Sequence, residues 1–391
     1  MLNFRISAVH RLFRLSMAGA LALVLAACGS GGGGPDILPP DTSTTLSASM
    51  SGEQENPPTV TGALGTGALS LGTPSLVVSG SFTLNGMTAT AAHVHAGDIG
   101  VNGPIIVSMV ETGTGSGVWS VPAGSKITAA QASAFAAGGL YFNAHTAENP
   151  GGEIRGQIGR TVFTSQMSGA QEAPPNNSVA TGNGSLSLDP ATRKFTARIA
   201  LSGMVATAAH IHSAPIGANG PIIFPFIETA AGSGVWVAAA DAIMTDAQIA
   251  LLNAGGLYFN AHNTAFPAGE IRGQIGRNVR FAGMNAAQEV PPNASVATGT
   301  GTLVIEPATR AASGGITLAG LAATAAHIHI GATGVNGPVI VPLTNAGNGV
   351  WNVPADTLLT AEQLKAFKQG NLYYNAHSVV FPGGEIRGQI R

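Results

Sequence analysis

Hydrophobic and polar residues alternate along short stretches of this chain, in the pattern of half-buried β-strands. The run 195–201 has an apolar side chain at every second position. The runs 140–145 and 153–158 alternate in the same way and are separated by a short Pro/Gly loop. Because residues i and i+2 share one face of a strand, these two runs predict an antiparallel hairpin. Its core face would carry Leu140, Phe142, Ile154 and Ile158, and its opposite face Tyr141, Asn143, His145, Glu153, Arg155 and Gln157.

A different pattern precedes the hairpin and predicts one short helix. Thr128 is followed by Gln131, which is the spacing of a capping box, and the segment ends at Gly138. The same arrangement occurs twice more along the chain. The corresponding residues are Thr245, Gln248 and Gly255, and then Thr360, Gln363 and Gly370.

All of these features belong to a repeat that occurs three times. His93-Val94-His95 recurs at 210–212 and at 327–329, which is an offset of 117 residues each time (93 to 210, 210 to 327). The three tryptophans occupy matching places, and we interpret them as core residues. A period this long describes an array of complete domains rather than a solenoid. We therefore predict a mainly β protein with three tandem antiparallel β-sandwich domains, each with one short helix, at residues 46–160, 161–277 and 278–391.

The first 45 residues have the features of a targeting segment. Three arginines precede an uncharged, largely apolar run at 17–27, which is too short to span a bilayer but has the length of a signal-peptide core. The run ends in Leu25-Ala26-Ala27-Cys28, which resembles the lipobox of bacterial lipoproteins. That resemblance implies a signal peptide at 1–27, a lipid on Cys28 and, from Gly29, an outer-membrane location. Residues 28–45 are a Gly/Pro-rich tether, and the alternative is a plain signal peptide with an incidental Cys28.

Composition and the lack of certain motifs argue against several classes of function. Only 9% of residues are charged and the formal net charge is −2, so the chain lacks the basic face that nucleic-acid binding needs. A single cysteine allows no intrachain disulfide and no cysteine-based metal site. The sequence contains no nucleophile elbow and no phosphate-binding glycine loop, so we predict neither a hydrolase nor a kinase.

The histidines are the strongest candidates for chemistry. All nine that follow the predicted signal peptide lie in the repeat, three per domain. In the first domain His93 and His95 would project from one face of a strand, and His145 and Glu153 would lie on the polar face of the hairpin. Three imidazoles and a carboxylate suit Zn²⁺ or Cu²⁺. The candidate ligands in the other domains are His210, His212, His262 and Glu270, and then His327, His329, His377 and Glu385.

A structural role for the same residues is the competing interpretation. A His–Glu–Arg hydrogen-bond network would satisfy polar groups at a sheet edge without any metal. Arg155 favours that interpretation, because its guanidinium could pair with Glu153. We interpret Asn102-Gly103-Pro104 as turn residues and the Gln54-Glu55 motif as the start of the first long loop.

The repeated motifs resemble the CHRD domain, which is named after chordin and occurs in many bacterial exported proteins. The motifs are Ala92 to Gly97, Asn102 to Ile105, Leu140 to His145 and Gly152 to Gln157, and the resemblance covers 46–391 three times over. It implies little about function, because the chordin role does not transfer to a chain without chordin's cysteine-rich modules. The His-Val-His strand is also similar to that of copper/zinc superoxide dismutases, although this chain lacks their disulfide and their full ligand set.

Two functions are therefore predicted. The first is a non-enzymatic, lipid-anchored envelope protein whose three domains bind a protein or surface ligand, with affinity raised by their tandem arrangement. The second is a copper- or zinc-binding envelope protein with one histidine-rich site per domain. A redox metalloenzyme is a third possibility, which requires an open coordination position.

Overall fold

The computed structural model describes residues 41–391, which form three β domains in chain order. The first domain contains nine strands and one helix, and the turn after its first strand is a short 3-10 helix at Gly52–Gln54. Its elements are β1 (Thr42–Ser51), β2 (Leu64–Thr73), β3 (Val78–Asn85), β4 (Ala91–Ala96), β5 (Ile105–Ser108), β6 (Val110–Glu111), β7 (Val118–Ser120), α1 (Ala129–Ala136), β8 (Leu140–His145) and β9 (Ile154–Gln157).

The second and third domains repeat this order. The second contains β10 (Thr161–Ser168), β11 (Thr181–Leu188), β12 (Phe195–Ser202), β13 (Ala208–Ser213), β14 (Ile222–Glu228), β15 (Val235–Ala238), α2 (Asp246–Asn253), β16 (Leu257–His262) and β17 (Ile271–Gln274). The third contains β18 (Asn278–Asn285), β19 (Thr298–Glu306), β20 (Ala311–Ala319), β21 (Ala325–Ile330), β22 (Val339–Pro342), β23 (Thr344–Gly347), β24 (Val350–Asn352), α3 (Ala361–Lys368), β25 (Leu372–His377) and β26 (Ile386–Gln389).

Each domain is one antiparallel sheet rolled around its own core. The second domain closes into an eight-stranded barrel, in which β14 pairs with both β13 and β15. In the first domain the corresponding stretch is divided into β5 and β6, which form the two edges of a nine-stranded sheet and are separated by Met109 alone. The prediction of three mainly β domains with one short helix each is confirmed. The two predicted layers of a sandwich are opposite walls of one barrel-like sheet.

The helices and the cores follow the sequence patterns closely. In α1 the side chain of Thr128 accepts from the Gln131 amide and the Gln131 side chain accepts from the Thr128 amide, which completes the predicted capping box. Gly138 then takes a φ of 72°, a conformation that favours glycine. Both other helices have the same box. Trp119 and Phe142 belong to the buried apolar cluster of the first domain, as predicted.

The predicted hairpin is present, but its second face is not a solvent-exposed surface. β8 pairs with β9 in antiparallel register, and Ile154 and Phe142 lie in the core. All six residues of β8 and all four of β9 are buried. Loops cover the polar face, so each domain has a second, polar interior layer beside its apolar core.

The first and third domains are in direct contact. Lys368 at the end of α3 forms a 2.7 Å ion pair with Glu53, and the two side chains are only 5% and 7% exposed. The Lys368 ammonium also donates to the backbone carbonyl of Thr61. Gly62 packs so closely against α3 that a Cβ there would overlap the carbonyl of Ala361. We call these residues (Glu53, Thr61, Gly62, Ala361 and Lys368) the 1–3 contact.

Consecutive domains are joined by ion pairs at equivalent positions. Arg160 follows the last strand of the first domain and pairs with Asp189 of the second at 2.9 Å. Arg277 pairs with Glu306 of the third domain at 3.0 Å. The three domains therefore pack together rather than hang on free linkers.

Some predictions concern residues outside this description. The predicted signal peptide, Cys28 and most of the predicted tether lie outside residues 41–391. The last residues of that tether, 42–45, belong to β1. Within 41–391 no helix has the length and apolar character needed to cross a membrane.

Candidate metal centre

Two neighbouring strands bring three histidines together in the first domain. β4 supplies His93 and His95, whose rings lie on one face with centroids 5.6 Å apart. β8 runs beside β4 with Ala91 opposite His145, so the third imidazole projects from the same face. One ring nitrogen from each histidine lies within 4.8 Å of the others. The second and third domains contain the same triads, which are His210, His212 and His262, and His327, His329 and His377.

Backbone carbonyls fix which nitrogens can bind a metal. The Nδ1 of His95 lies 2.9 Å from the carbonyl of Gly103, and the Nδ1 of His145 lies 3.0 Å from that of Pro150. A carbonyl can only accept, so both Nδ1 atoms carry hydrogen and both Nε2 atoms carry a lone pair instead of a proton. A ligating histidine in a metalloprotein has this same support on its second nitrogen. His93 then donates from Nδ1 to the Nε2 of His145 at 3.0 Å.

The triads differ in one respect between domains. In the third domain the bond between His327 and His377 is present at 3.2 Å. In the second domain the rings of His210 and His262 are 5.2 Å apart, and His210 Nδ1 and His262 Nε2 are buried without a hydrogen-bond partner. This triad is therefore slightly more open than the other two.

All nine imidazoles are held in the neutral form. Burial lowers the pKa of each from its usual 6.5, and the neighbouring imidazoles lower the pKa of His93 and His210 further. For His210 the pKa falls to about 4. Only neutral imidazole has a lone pair for a metal, so the site is in its binding form at neutral pH.

The donor set fits a transition metal ion. Imidazole suits zinc and copper. Metal–nitrogen bonds of about 2.0–2.1 Å separate tetrahedral ligand atoms by about 3.4 Å, so shifts on the order of 1 Å complete the site. One histidine nitrogen recurs as a buried group without a partner in every domain, as an available ligand would. It is the Nε2 of His95, His212 and His329.

The predicted glutamates lie outside the triads. No carboxylate oxygen joins the three nitrogens within 4.8 Å in any described domain. Glu153 accepts instead from Thr146 and Asn149 in the loop between β8 and β9. Burial raises its pKa, but hydrogen bonds from Thr61, Asn149 and Thr146 outweigh burial and leave that pKa below its usual range. Glu270 and Glu385 hold the same loop position, each accepting from a serine, Ser178 and Ser295 respectively, at 2.7 Å.

Arg155 does not pair with Glu153, contrary to the network proposed from the sequence. Its guanidinium lies 3.4 Å from the centroid of the Tyr141 ring and donates to the carbonyls of Asp98 and Val101. His95 stacks on the same tyrosine with an interplanar angle of 13°. Because β4 and β9 flank β8, this makes a His–Tyr–Arg stack, which recurs with Tyr258 and Tyr373.

Two motifs that were interpreted as loop residues support the site. Gly103 holds His95 through its carbonyl, and Asn102 donates to the carbonyl of Asn56, joining two loops above the polar layer. Glu55 is buried against Asn143, and burial raises its pKa to about 7. Both motifs recur in step with the histidines, and that shared period was the signal that could have identified them.

Comparison with known families agrees with this repeat. Residues 46–158, 163–275 and 281–390 each match the CHRD domain. The chain therefore belongs to the CHRD domain family, with three tandem copies. No curated protein and no solved structure matches the chain.

Proposed function

We propose that this protein binds transition metal ions, one copper or zinc ion in each of its three CHRD domains. The observation that carries the proposal is the threefold recurrence of a neutral, half-buried histidine triad whose ligand nitrogens lie within 4.8 Å of one another. The carbonyls of Gly103 and Pro150 orient the imidazoles before any ion binds, which reduces the cost of assembling the site. Binding, rather than catalytic turnover, is the role we assign to the ions.

Metal content tests this proposal directly. The protein, purified without a metal-affinity tag or chelator and then supplied with Zn²⁺ or Cu²⁺, should hold three ions per chain by elemental analysis. Replacing His93, His95 and His145 with alanine should reduce the content to two. Glu153→Gln is the matched control and should leave three ions, because that carboxylate lies outside the triad. Unchanged metal content after the triple replacement would refute the assignment.

The cellular setting of the proposal rests on the N-terminal sequence. Residues 17–27 have signal-peptide character, and the lipobox-like end places the only cysteine at Cys28. We infer that Cys28 carries lipid and that the three domains are held at the outer membrane. Cys28→Ser should release the exported protein from the membrane fraction and abolish labelling by a fatty-acid analogue.

Binding of a protein or surface ligand is a second candidate function, and one observation favours it. Val179 and Val296, at equivalent loop positions in the second and third domains, are 92% and 93% exposed. Single exposed valines are common, but the third domain also exposes Val379 and Val380, by 83% and 77%. Replacing these four valines with serine should weaken attachment to a surface without changing metal content.

A further inference from the structure

Beside each histidine triad lies a buried asparagine whose amide oxygen has no hydrogen-bond partner. Asn143 lies opposite His93 across β4 and β8 and is two residues before His145, so it shares the face that carries the triad. It is buried, and its Oδ1 has no hydrogen-bond partner. Asn260 and Asn375 occupy the same position in the other domains, and each has the same unpartnered Oδ1.

A buried glutamate determines which way this amide points. The Nδ2 of Asn375 donates to Glu289 at 2.9 Å, and the Nδ2 of Asn260 lies 3.2 and 3.3 Å from the two carboxyl oxygens of Glu172. With the amino group held by the carboxyl group, the oxygen is left without a hydrogen-bond partner. Gly269 and Gly384 make room for this pair, since a Cβ at either position would press against both side chains.

A buried acceptor without a hydrogen-bond partner destabilises the fold. Its recurrence in all three domains indicates that a donor binds there. Leaving a buried amide oxygen without a partner costs about 1–3 kcal/mol. Three histidines leave at least one coordination position free on a zinc or copper ion. Water in that position becomes a strong hydrogen-bond donor, because the ion withdraws charge from it.

We propose that each metal ion keeps one exchangeable position, occupied by water or a small anion, and that Asn143, Asn260 and Asn375 hold the water through Oδ1. The inference rests on the metal-binding function proposed above. Each site is therefore open, because a small ligand or ion can replace the water at this position and leave again. The asparagines are positioning residues and do not ligate the metal.

Water relaxation in the copper-loaded protein tests the inference. Protein that carries three Cu²⁺ ions per chain should enhance the relaxation rate of bulk water protons, and added azide should suppress the enhancement and produce a new charge-transfer absorption. Copper that is bound but gives neither enhancement nor an azide band would overturn the open position while leaving metal binding intact. Failure to bind Cu²⁺ at all would overturn both proposals.

Two sets of variants test the asparagines themselves. Asn→Ala at 143, 260 and 375 should retain three Cu²⁺ ions and lose most of the water enhancement, since the bound water loses its acceptor. Asn→Asp at the same positions, combined with Glu→Gln at 55, 172 and 289 so that no buried carboxyl groups face each other, keeps an acceptor oxygen and should restore the enhancement. Equal enhancement in the wild-type protein and the alanine variant would refute the role of Oδ1. The aspartate variant decides the question if the alanine variant does not fold, because loss of enhancement in a folded, copper-loaded aspartate protein would also refute it.

Discussion

The histidine triads and the 1–3 contact are built from opposite kinds of residue. Every member of a triad, and every tyrosine, arginine and asparagine beside it, recurs in all three domains. In the 1–3 contact, the ion pair and the glycine depart from the repeat. Where the first domain has Glu53 and Gly62, the second has Ala170 and Val179 and the third has Ala287 and Val296, and Lys368 is replaced by Ala136 in α1 and Asn253 in α2.

This difference separates two requirements on one sequence. What recurs defines the chemistry that each domain performs by itself. What departs from the repeat occurs once, because only one pair of domains meets in that way. The contrast can therefore be tested by replacing a residue that departs from the repeat with the residue found at the same position in the other domains.

Gly62→Val should have the largest effect. The substitution gives the first domain the residue found at the same position in the other two, but a side chain there would overlap the Ala361 carbonyl of α3. Since a backbone carbonyl in a packed helix cannot move aside alone, the third domain must separate from the first. We expect a larger radius of gyration by small-angle scattering and faster proteolysis between the domains.

The matched controls are Val179→Gly and Val296→Gly. Both valines are almost fully exposed, so their removal should leave the scattering profile unchanged. Metal content should stay at three ions per chain in all of these variants. A Gly62→Val protein with an unchanged radius of gyration would show that the 1–3 contact does not hold the domains together.

Lys368→Met should have the next largest effect. It leaves Glu53 buried without its cation, a change that destabilises proteins by about 3–5 kcal/mol. Lys194→Met is the control, because the Lys194–Asp241 pair has a similar N–O distance of 2.8 Å but side chains 52% and 78% exposed, so solvent screens the pair and a much smaller loss is expected. Denaturant unfolding of both variants measures the difference. Equal losses would mean that the Lys368 pair is no more than a surface ion pair.

Much of each domain could be predicted from its own residues, because the determinants are local. Alternation predicted the β8–β9 hairpin, the spacing of Thr128 and Gln131 predicted α1, and the i, i+2 rule placed His93 and His95 together. The position of Glu153 depends on how a loop turns, which alternation does not describe. Closure of the sheet and the 1–3 contact join residues that are far apart in the chain, such as Glu53 and Lys368, and no local pattern encodes such a pairing.

The pH dependence of the metal-free protein should distinguish the buried glutamates from the loop glutamates. Burial raises the pKa of Glu55 and Glu172 to about 7 and raises that of Glu289 as well. The folded state therefore holds these protons more tightly than the unfolded state, whose pKa is 4.5. For Glu55 and Glu172 this contribution to stability is present below pH 4.5 and is lost as pH rises to about 7, by up to roughly 3 kcal/mol per group, and Glu289 changes in the same direction.

Glutamine at the three positions should remove this loss. With chelator present, the variant should gain stability relative to wild type between pH 5 and pH 7.5, measured by denaturant unfolding (~25 °C). Glu153→Gln should have the opposite sign, because its lowered pKa stabilises the fold above pH 4.5 and that contribution disappears at lower pH. A parallel pH profile for wild type and the triple variant would contradict the burial argument. The charges of Arg155 and Glu153 also shift the pKa of Glu55, and both residues remain in the triple variant.

Removing a helix cap should cause the smallest loss of stability. The caps of α2 and α3 also compare a helix outside the 1–3 contact directly with the helix that forms it. Thr245→Ala and Thr360→Ala each remove one side of a capping box, which costs about 1 kcal/mol. The outer face of α2 is exposed at Asp246, whereas the equivalent Ala361 of α3 is buried against the first domain. Fraying of α2 should therefore stay local, while fraying of α3 should also loosen the 1–3 contact. Hydrogen exchange of residues 52–63 measures this loosening directly. Exchange should become faster in Thr360→Ala and not in Thr245→Ala. Equal exchange in the two variants would mean that α3 does not need its first turn to hold the first domain.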